Sequence, residues 1–214
     1  MQERIVCNTK EEWLSKRMKS IGASEVAAAV GISPFKSRVE LWEEKTGRRK
    51  LPDLSGNAAV QFGTRAEEFL RGLYLAEHTN LEGDYHPFDI IYQSEIPYLT
   101  CTLDCELIDR TTGEKGILEI KTAETAKKKQ LEQWDGKVPD YYYAQILHQQ
   151  IAAGEEYKFS TLYAKLKLLN GNSYLREYDF TRDELAKDRE WLLSEAERFW
   201  WFVEHDVMPP ITIG

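Results

Sequence analysis

Two short runs decide the fold: TLDCELID at 102–109 and GILEIKT at 116–122. Each run combines β-branched and other apolar residues in the manner of a strand, and the Thr-Gly and Lys-Gly steps between them favour a hairpin turn. Fourteen residues separate Asp104 from Glu119. We therefore expect these two carboxylates to lie side by side on adjacent antiparallel strands.

Side-chain alternation along the second strand separates a polar face from an apolar one. Glu119 and Lys121 should project together, whereas Leu118 and Ile120 should point to the core. Together with Asp104, the polar face offers two carboxylates, which suit a hard cation such as Mg2+. The amine of Lys121 can orient or deprotonate a metal-bound water, or it can stabilise charge in the transition state. The simpler alternative is a solvated hairpin with a surface ion pair of small energetic value.

Five blocks of sequence, in a fixed order, extend this pattern over most of residues 13–154. They are Arg17 with IGASEVAAAVGISPF (21–35), GTRAEEF (63–69), TLDCEL (102–107), LEIKT (118–122) and YYYAQILHQQIAAG (141–154). In this order they resemble the lambda-type exonucleases and YqaJ-like viral recombinases of the PD-(D/E)xK nuclease superfamily. The resemblance implies an α/β (α+β) fold, with a PD-(D/E)xK restriction-endonuclease-like core in which helices flank a central mixed sheet.

The resemblance also implies further residues of the site. Glu67 is the additional acidic residue near the metals, with Glu68 as the alternative if the helix register differs by one. The backbone carbonyl of Ile120 becomes a metal ligand. Gln145 and Tyr142 lie three residues apart, hence on one face of the helix after the sheet. The resemblance puts this face beside the active site, where Gln145 would contact the lysine or the substrate backbone.

Arg17 and Ser24 resemble the pair that binds the terminal 5′ phosphate in lambda-type enzymes. A guanidinium matches phosphate oxygens, and a hydroxyl at a helix start adds a donor beside backbone amides. Without the resemblance, the same residues would be interpreted as a surface arginine and a helix N-cap. A pocket for the terminal phosphate would make an enzyme that starts at 5′ ends.

The combined pattern predicts two-metal hydrolysis of a phosphodiester, with Mg2+ or alternatively Mn2+. Asp104, Glu119 and the Ile120 carbonyl would hold two ions, Glu67 would support them, and Lys121 would assist the attacking water. The expected activity is a 5′-to-3′ exonuclease that degrades one strand of linear double-stranded DNA to 5′ mononucleotides and leaves 3′ single-stranded tails. By resemblance, its partners are DNA ends, further copies of the chain in a ring-shaped trimer, and a single-strand annealing recombinase.

Two alternatives stay open. A structure-specific or restriction-type endonuclease would use the same metal face without needing Arg17 and Ser24. A non-catalytic DNA-binding accessory protein would keep the fold and tolerate loss of Lys121. Two departures from the superfamily pattern, Leu103 in place of proline and Cys105 in place of glycine, remove no ligand.

Composition sets the outer limits. The chain has 214 residues, a net charge of −8 and 42% hydrophobic residues, which is enough for a core. No apolar run approaches a membrane span, and we expect a cytoplasmic protein of a bacterial host cell, encoded by a phage or prophage. The acidic balance favours a weak, sequence-indifferent grip on DNA, with local basic runs at 48–50 and 127–129. Three cysteines and four histidines show no metal-ligand spacing, which argues against an iron–sulfur or HNH nuclease.

The expected organisation is a single nuclease domain over 1–214. It would have a helical part to about 80, the catalytic sheet and helix over about 85–180, and a C-terminal helix over about 181–205. A capping box at Thr181 and Glu184 should start that last helix. The apolar positions expected on the long helix that contains GTRAEEF are Val60, Phe62, Phe69, Leu73 and Leu75.

Overall fold

The computed structural model describes residues 1–52, 56–125, 131–168 and 170–211, in which the strands form two sheets. The smaller sheet has the order β1 (Gln2–Val6), β4 (Asp89–Gln93), β5 (Leu99–Cys101), β2 (Ile21–Gly22). The larger sheet has the order β3 (Leu81–Asp84), β6 (Cys105–Asp109), β7 (Lys115–Thr125), β8 (Tyr157–Leu168), β9 (Ser173–Thr181).

The helices of the described ranges surround these sheets. They are α1 (Lys10–Arg17), α2 (Val26–Ala29), α3 (Arg38–Lys45), α4 (Ala58–Glu77), α5 (Asp140–Ala153) and α6 (Ala186–Glu204), with a 3-10 turn over Ala23–Glu25. β7 and β8 are parallel, and the other neighbours in the larger sheet are antiparallel. α5 lies in the crossover that a parallel pair requires. The expected mixed sheet with flanking helices is confirmed.

One face of β7 is apolar and buried and the other is polar, as predicted. Leu118 and Ile120 are 0% and 3% exposed, and they pack in a cluster that contains Leu70 and Tyr74 of α4. Burial of each such aliphatic side chain contributes roughly 1.5–3 kcal/mol. Glu119 faces the opposite way, toward α5, so the two long helices cover opposite faces of this strand.

The catalytic hairpin differs from the expectation in one respect. Register pairs Cys105 with Leu118, and β6 begins at Cys105, so Asp104 precedes the strand and does not lie within it. β7 then continues to Thr125 with β8 as its partner. Beyond Leu118, the edge of β7 that faces β6 is therefore left without a strand neighbour among the described residues.

The N-terminal part is less helical than expected, because β1 and β2 lie within it. Ser24 is not a helix N-cap: it sits inside the 3-10 turn, whose N-cap is Gly22. The capping box at Thr181 forms its hydroxyl contacts with Glu184, but α6 begins only at Ala186. Local capping chemistry was identified, whereas the helix starts were misplaced.

The apolar face expected for α4 was wrong. Leu70 and Tyr74 are its buried residues, whereas four of the five expected positions are substantially exposed: Val60 42%, Phe62 46%, Phe69 79% and Leu73 40%. Only the middle of α4 covers the sheet. The apolar residues near the start of the helix are therefore exposed, although they continue the same apolar stripe.

The basic runs give little free positive charge. Arg48 pairs with Asp206, and Arg49 pairs with Glu40 and Glu43. The run at 127–129 lies outside the described residues. No helix in the described part of the chain is both long and apolar enough to span a membrane.

Candidate active site

The open edge of β7 is where the two predicted carboxylates meet. The backbone N–H of Ile120 donates to Asp104 Oδ2 at 2.8 Å, a bond that replaces the ladder contact β6 would have supplied. The N–H and C=O of one strand residue point to the same edge. The Ile120 carbonyl therefore faces the same opening as the Asp104 carboxylate, because the pairing of β6 with β7 ends at Leu118, two residues before Ile120.

Glu119 is held from the opposite side by α5. It is only 2% exposed, and Gln145 Nε2 donates to its Oε1 at 2.6 Å. Gln149, one helical turn later, donates to Oε2. Lys121 Nζ forms an ion pair with Oε1. Both carboxylate oxygens are thus satisfied, which a buried charge requires.

Gln149 was missed by the sequence interpretation. It is fully buried, and its Oε1 has no hydrogen-bond partner among the described residues. Its position four residues after Gln145 places it on the same helix face, and that spacing was the signal that could have revealed it.

Lys121 is a cation in this setting. Burial lowers its pKa, but Glu119 and Asp104 outweigh that effect and raise the pKa well above its usual range. Its Nζ lies 5.3 Å from the centre of the Tyr142 ring, and burial raises the pKa of Tyr142. The predicted pair Tyr142 and Gln145 therefore both reach the Glu119–Lys121 face.

Glu67 approaches from α4. Burial is the main cause that raises the pKa of Glu67, and the negative charge of Glu119 raises it further. The positive charges of Lys121 and Arg71 oppose this rise. Glu68 is exposed, so the structure favours Glu67 over its neighbour. Arg71, also missed from sequence, donates to the Asp104 carbonyl at 2.6 Å and ties the helix that carries Glu67 to the Asp104 segment.

The donor set fits a hard divalent cation. Burial, followed by the charge of Glu119, raises the pKa of Asp104 well above its usual range, because crowded carboxylates disfavour one another's ionisation. A divalent cation would relieve that repulsion, and carboxylate and carbonyl oxygens are the ligands that Mg2+ prefers. No three His, Cys, Asp or Glu side chains of the described ranges form a ready metal cage.

Arg17 and Ser24 form a second cluster. Arg17 Nη2 donates to Ser24 Oγ at 3.1 Å, and its guanidinium lies 4.4 Å from the Trp13 ring centre. Trp13 Nε1 in turn donates to Thr102 Oγ1 at 2.8 Å, two residues before Asp104. Trp13 thus connects the arginine to the segment that carries the first carboxylate.

Buried groups hold this second cluster in place. Lys45, whose side chain is 1% exposed, donates to the Arg17 carbonyl at 2.9 Å and to Glu25 at 2.7 Å. Burial lowers the pKa of Lys45. Gly22 leaves room for the guanidinium, since a Cβ there would lie 2.7 Å from Arg17 Nη2. The helix dipole beside Ser24 adds little to this cluster, because α2 has a single turn.

The residues of both clusters lie within the part of the chain that matches a known protein family. The profile of the YqaJ-like viral recombinase domain matches residues 12–156. An uncharacterized protein YqaJ of Bacillus subtilis (strain 168) is 27% identical over 193 residues, which cover 90% of this chain and 56% of that protein. The chain therefore spans about half the length of this curated relative.

Solved structures with the same fold are also known. An alkaline exonuclease, LHK-Exo, from Laribacter hongkongensis superposes with a TM-score of 0.63 at 19% identity, covering 92% of this chain and 94% of that one. Its complex with dAMP gives a TM-score of 0.64 at 20% identity, with the same coverage. This likeness establishes a lambda-exonuclease-like fold, consistent with the expected PD-(D/E)xK core. By its sequence profile, the chain belongs to the YqaJ-like viral recombinase domain family.

Proposed function

We propose that this protein is a Mg2+-dependent 5′-to-3′ exonuclease acting on linear double-stranded DNA. One observation carries the proposal: at the open edge of β7, the Asp104 carboxylate accepts the Ile120 N–H beside the Glu119–Lys121 pair. A merely structural hairpin would not bury Glu119 to 2% exposure next to a second, desolvated carboxylate. The likeness of the fold to an alkaline exonuclease supports the same class of reaction.

Asp104, Glu119 and the Ile120 carbonyl are the groups we propose to hold Mg2+, or Mn2+ in its place, with Glu67 in support. Two such ions, when bound, would activate water and stabilise charge on the scissile phosphate. Gln145 and Gln149 fix the orientation of Glu119 by donating to its two oxygens, as outer partners of metal-binding carboxylates commonly do.

Lys121 acts first as a positive charge. Because its pKa is raised, Lys121 carries a proton at neutral pH as long as no metal ion neutralises the charges of Glu119 and Asp104. From that position it orients the attacking water and stabilises charge on the phosphate in the transition state. It can take a proton from water only after the carboxylate charges are neutralised. Tyr142 and Gln145 flank the lysine and would contact the substrate backbone.

Arg17 and Ser24 supply the polarity of cutting. A terminal 5′ phosphate would replace the Arg17–Ser24 bond with charge-assisted bonds to both groups. Trp13 holds the guanidinium, and its bond to Thr102 relates the phosphate pocket to Asp104. Anchoring the end of a strand determines which phosphodiester reaches the carboxylates, so the products would be 5′ mononucleotides and a 3′ single-stranded tail.

Two partners belong to the same proposal. By resemblance, we propose a ring-shaped trimer that encircles DNA, and such enclosure would compensate for the weak phosphate contacts expected of a chain with a net charge of −8. A 3′ tail is the substrate of a single-strand annealing recombinase, which would act on the product.

Digestion of three duplexes in Mg2+ tests the proposal: linear with 5′ phosphates, linear with 5′ hydroxyls, and covalently closed circular. We expect digestion of linear DNA only, faster with 5′ phosphate. Lys121→Ala should abolish it. Lys115→Ala should not, because Lys115 lies on the same strand with a side chain that is 42% exposed and paired with Glu156. Arg17→Ala should remove the preference for 5′ phosphate.

Cutting of the closed circle would make the protein an endonuclease. No Mg2+- or Mn2+-dependent degradation of any duplex would refute catalysis and favour a DNA-binding accessory protein.

A further inference from the structure

A groove of about 550 Å³ opens next to the candidate site, between the start of α4 and the ends of β7 and β8. The residues of this groove that carry the argument are Ala58, Phe62, Thr122, Glu124, Lys165 and Lys167. None of them has a role in the reaction proposed above.

The groove exists because α4 leaves the sheet. Over its middle, Leu70 and Tyr74 pack on the face that contains Ile120. At Gly63 the helix still lies close to β7, since a Cβ there would lie 3.4 Å from Thr122 Oγ1. N-terminal to it, the helix presents Ala58 and Ala59, whose small side chains leave the next rows of the sheet uncovered.

Those rows carry positive charge. Thr122 pairs with Lys165 and Glu124 with Lys167 across the parallel ladder, so all four side chains share the face below α4. Lys167 forms an ion pair with Glu124 at 3.0 Å. The Nζ of Lys165 instead lies over the Phe62 ring, 5.8 Å from its centre.

Phe62 has the exposure expected of a contact residue. It is 46% exposed at the wall of a concave site, five residues before Glu67 on the same helix. The floor of the groove begins at Thr122, the residue after Lys121. The Thr122 side chain lies on the α4 face of β7 and the Lys121 side chain on the opposite face, so a polymer in the groove would reach the candidate site around the open edge of the strand, on the side from which Glu67 approaches.

Proteins commonly bind single-stranded nucleic acids with an exposed aromatic ring beside a basic residue, because a base stacks on the ring and a phosphate pairs with the positive charge. We propose that this groove binds single-stranded DNA, with one base on Phe62 and the adjacent phosphate on Lys165. The inference rests on the proposed nuclease function, because it assigns to the groove the strand that enters or leaves the Lys121 site.

Fluorescence anisotropy of a labelled oligodeoxythymidylate tests the groove. Binding is measured in Mg2+ on a Lys121→Ala background, so that the oligonucleotide stays intact. Adding Phe62→Ala should weaken binding roughly 5- to 150-fold, the range for loss of one stacked base. Phe62→Trp should restore it, and Lys165→Ala should weaken binding and reduce its salt dependence.

Phe69→Ala is the matched control, because Phe69 lies on the same helix, is more exposed at 79% and is outside the groove. Equal loss in both phenylalanine variants would overturn the proposal, as would no loss at Phe62 or no binding by the parent variant. A change in sedimentation of Phe62→Ala, with binding unchanged, would assign the groove to a second copy of the chain and likewise overturn it. Failure of the nuclease proposal is separate: wild-type protein would then leave linear duplexes intact.

Discussion

Replacing Gln149 with leucine should impair the metal site more than the fold. In the structure, Gln149 Nε2 donates to Glu119 Oε2, while its buried Oε1 finds no partner within the described part of the chain. Leucine removes a hydrogen bond to a charged acceptor, which costs about 1.5–3 kcal/mol, and also removes an orphaned acceptor, which returns about 1 kcal/mol. The expected net loss is about 0.5–2 kcal/mol, or roughly 1–8 °C in Tm for a chain of this size.

Gln149→Glu should behave differently. It places a second carboxyl group against Glu119, and that group must be protonated to donate. The folded protein then binds a proton that the unfolded chain releases above about pH 4.3. Stability should therefore fall with rising pH by up to about 1.4 kcal/mol per pH unit, whereas the loss in Gln149→Leu should be independent of pH.

Thermal unfolding in EDTA over a range of pH, followed by Mg2+ titration of nuclease activity, measures both effects. Gln149→Leu should raise the Mg2+ requirement by roughly 10- to 100-fold, as loss of an outer partner does. The control is Gln150→Leu, which removes a buried bond to Ser160 and should lower Tm without changing the Mg2+ requirement. Equal Mg2+ requirements in the two variants, or a Gln149→Glu deficit that ignores pH, would refute the reasoning.

Three further predictions follow from buried charges. Asp104→Asn should abolish nuclease activity yet raise the Tm of metal-free protein at pH 8 by roughly 2–4 °C, because burial and Glu119 disfavour the Asp104 charge; an unchanged or lower Tm would contradict this. Burial lowers the pKa of His148 to about 4, so the unfolded chain takes up its proton first, and up to about 3 kcal/mol of stability should be lost between pH 6.5 and 4. His148→Asn should flatten that part of the urea-unfolding profile. Lys45→Met should cost about 3–5 kcal/mol by urea unfolding, because it leaves Glu25 unpaired; a loss under 1 kcal/mol would argue against the pair.

Much of the site could be predicted from local pattern. Strand alternation placed Glu119 and Lys121 on one face and Leu118 and Ile120 in the core, because side-chain direction in a strand depends only on parity. Helical spacing likewise put Tyr142 and Gln145 on one face of their helix, whereas the place of that face beside the site came from the family resemblance. The strand parity and the helical spacing need no knowledge of the rest of the chain.

Errors arose wherever the answer depended on how far one element extends over another. The apolar stripe on α4 predicted burial of Phe62 and Phe69, yet only the middle of the helix meets the sheet. Helical spacing from Gln145 could have placed Gln149 on the same face, but its partner, Glu119, lies thirty residues earlier in the chain, and only the fold shows that contact. Ser24 had the residue type of an N-cap, but the backbone places it inside a 3-10 turn.

The sequence by itself determined the residue types, the two faces of β7 and the family blocks in their order. The tertiary structure alone decided that β6 begins at Cys105 while β7 continues to Thr125, which exposes an edge where Ile120 bonds to Asp104. Strand ends depend on the competition between ladder pairing and side-chain contacts from α4 and α5. The outcome depends on packing among segments that are distant in sequence. The local sequence pattern therefore cannot predict where these strands begin and end.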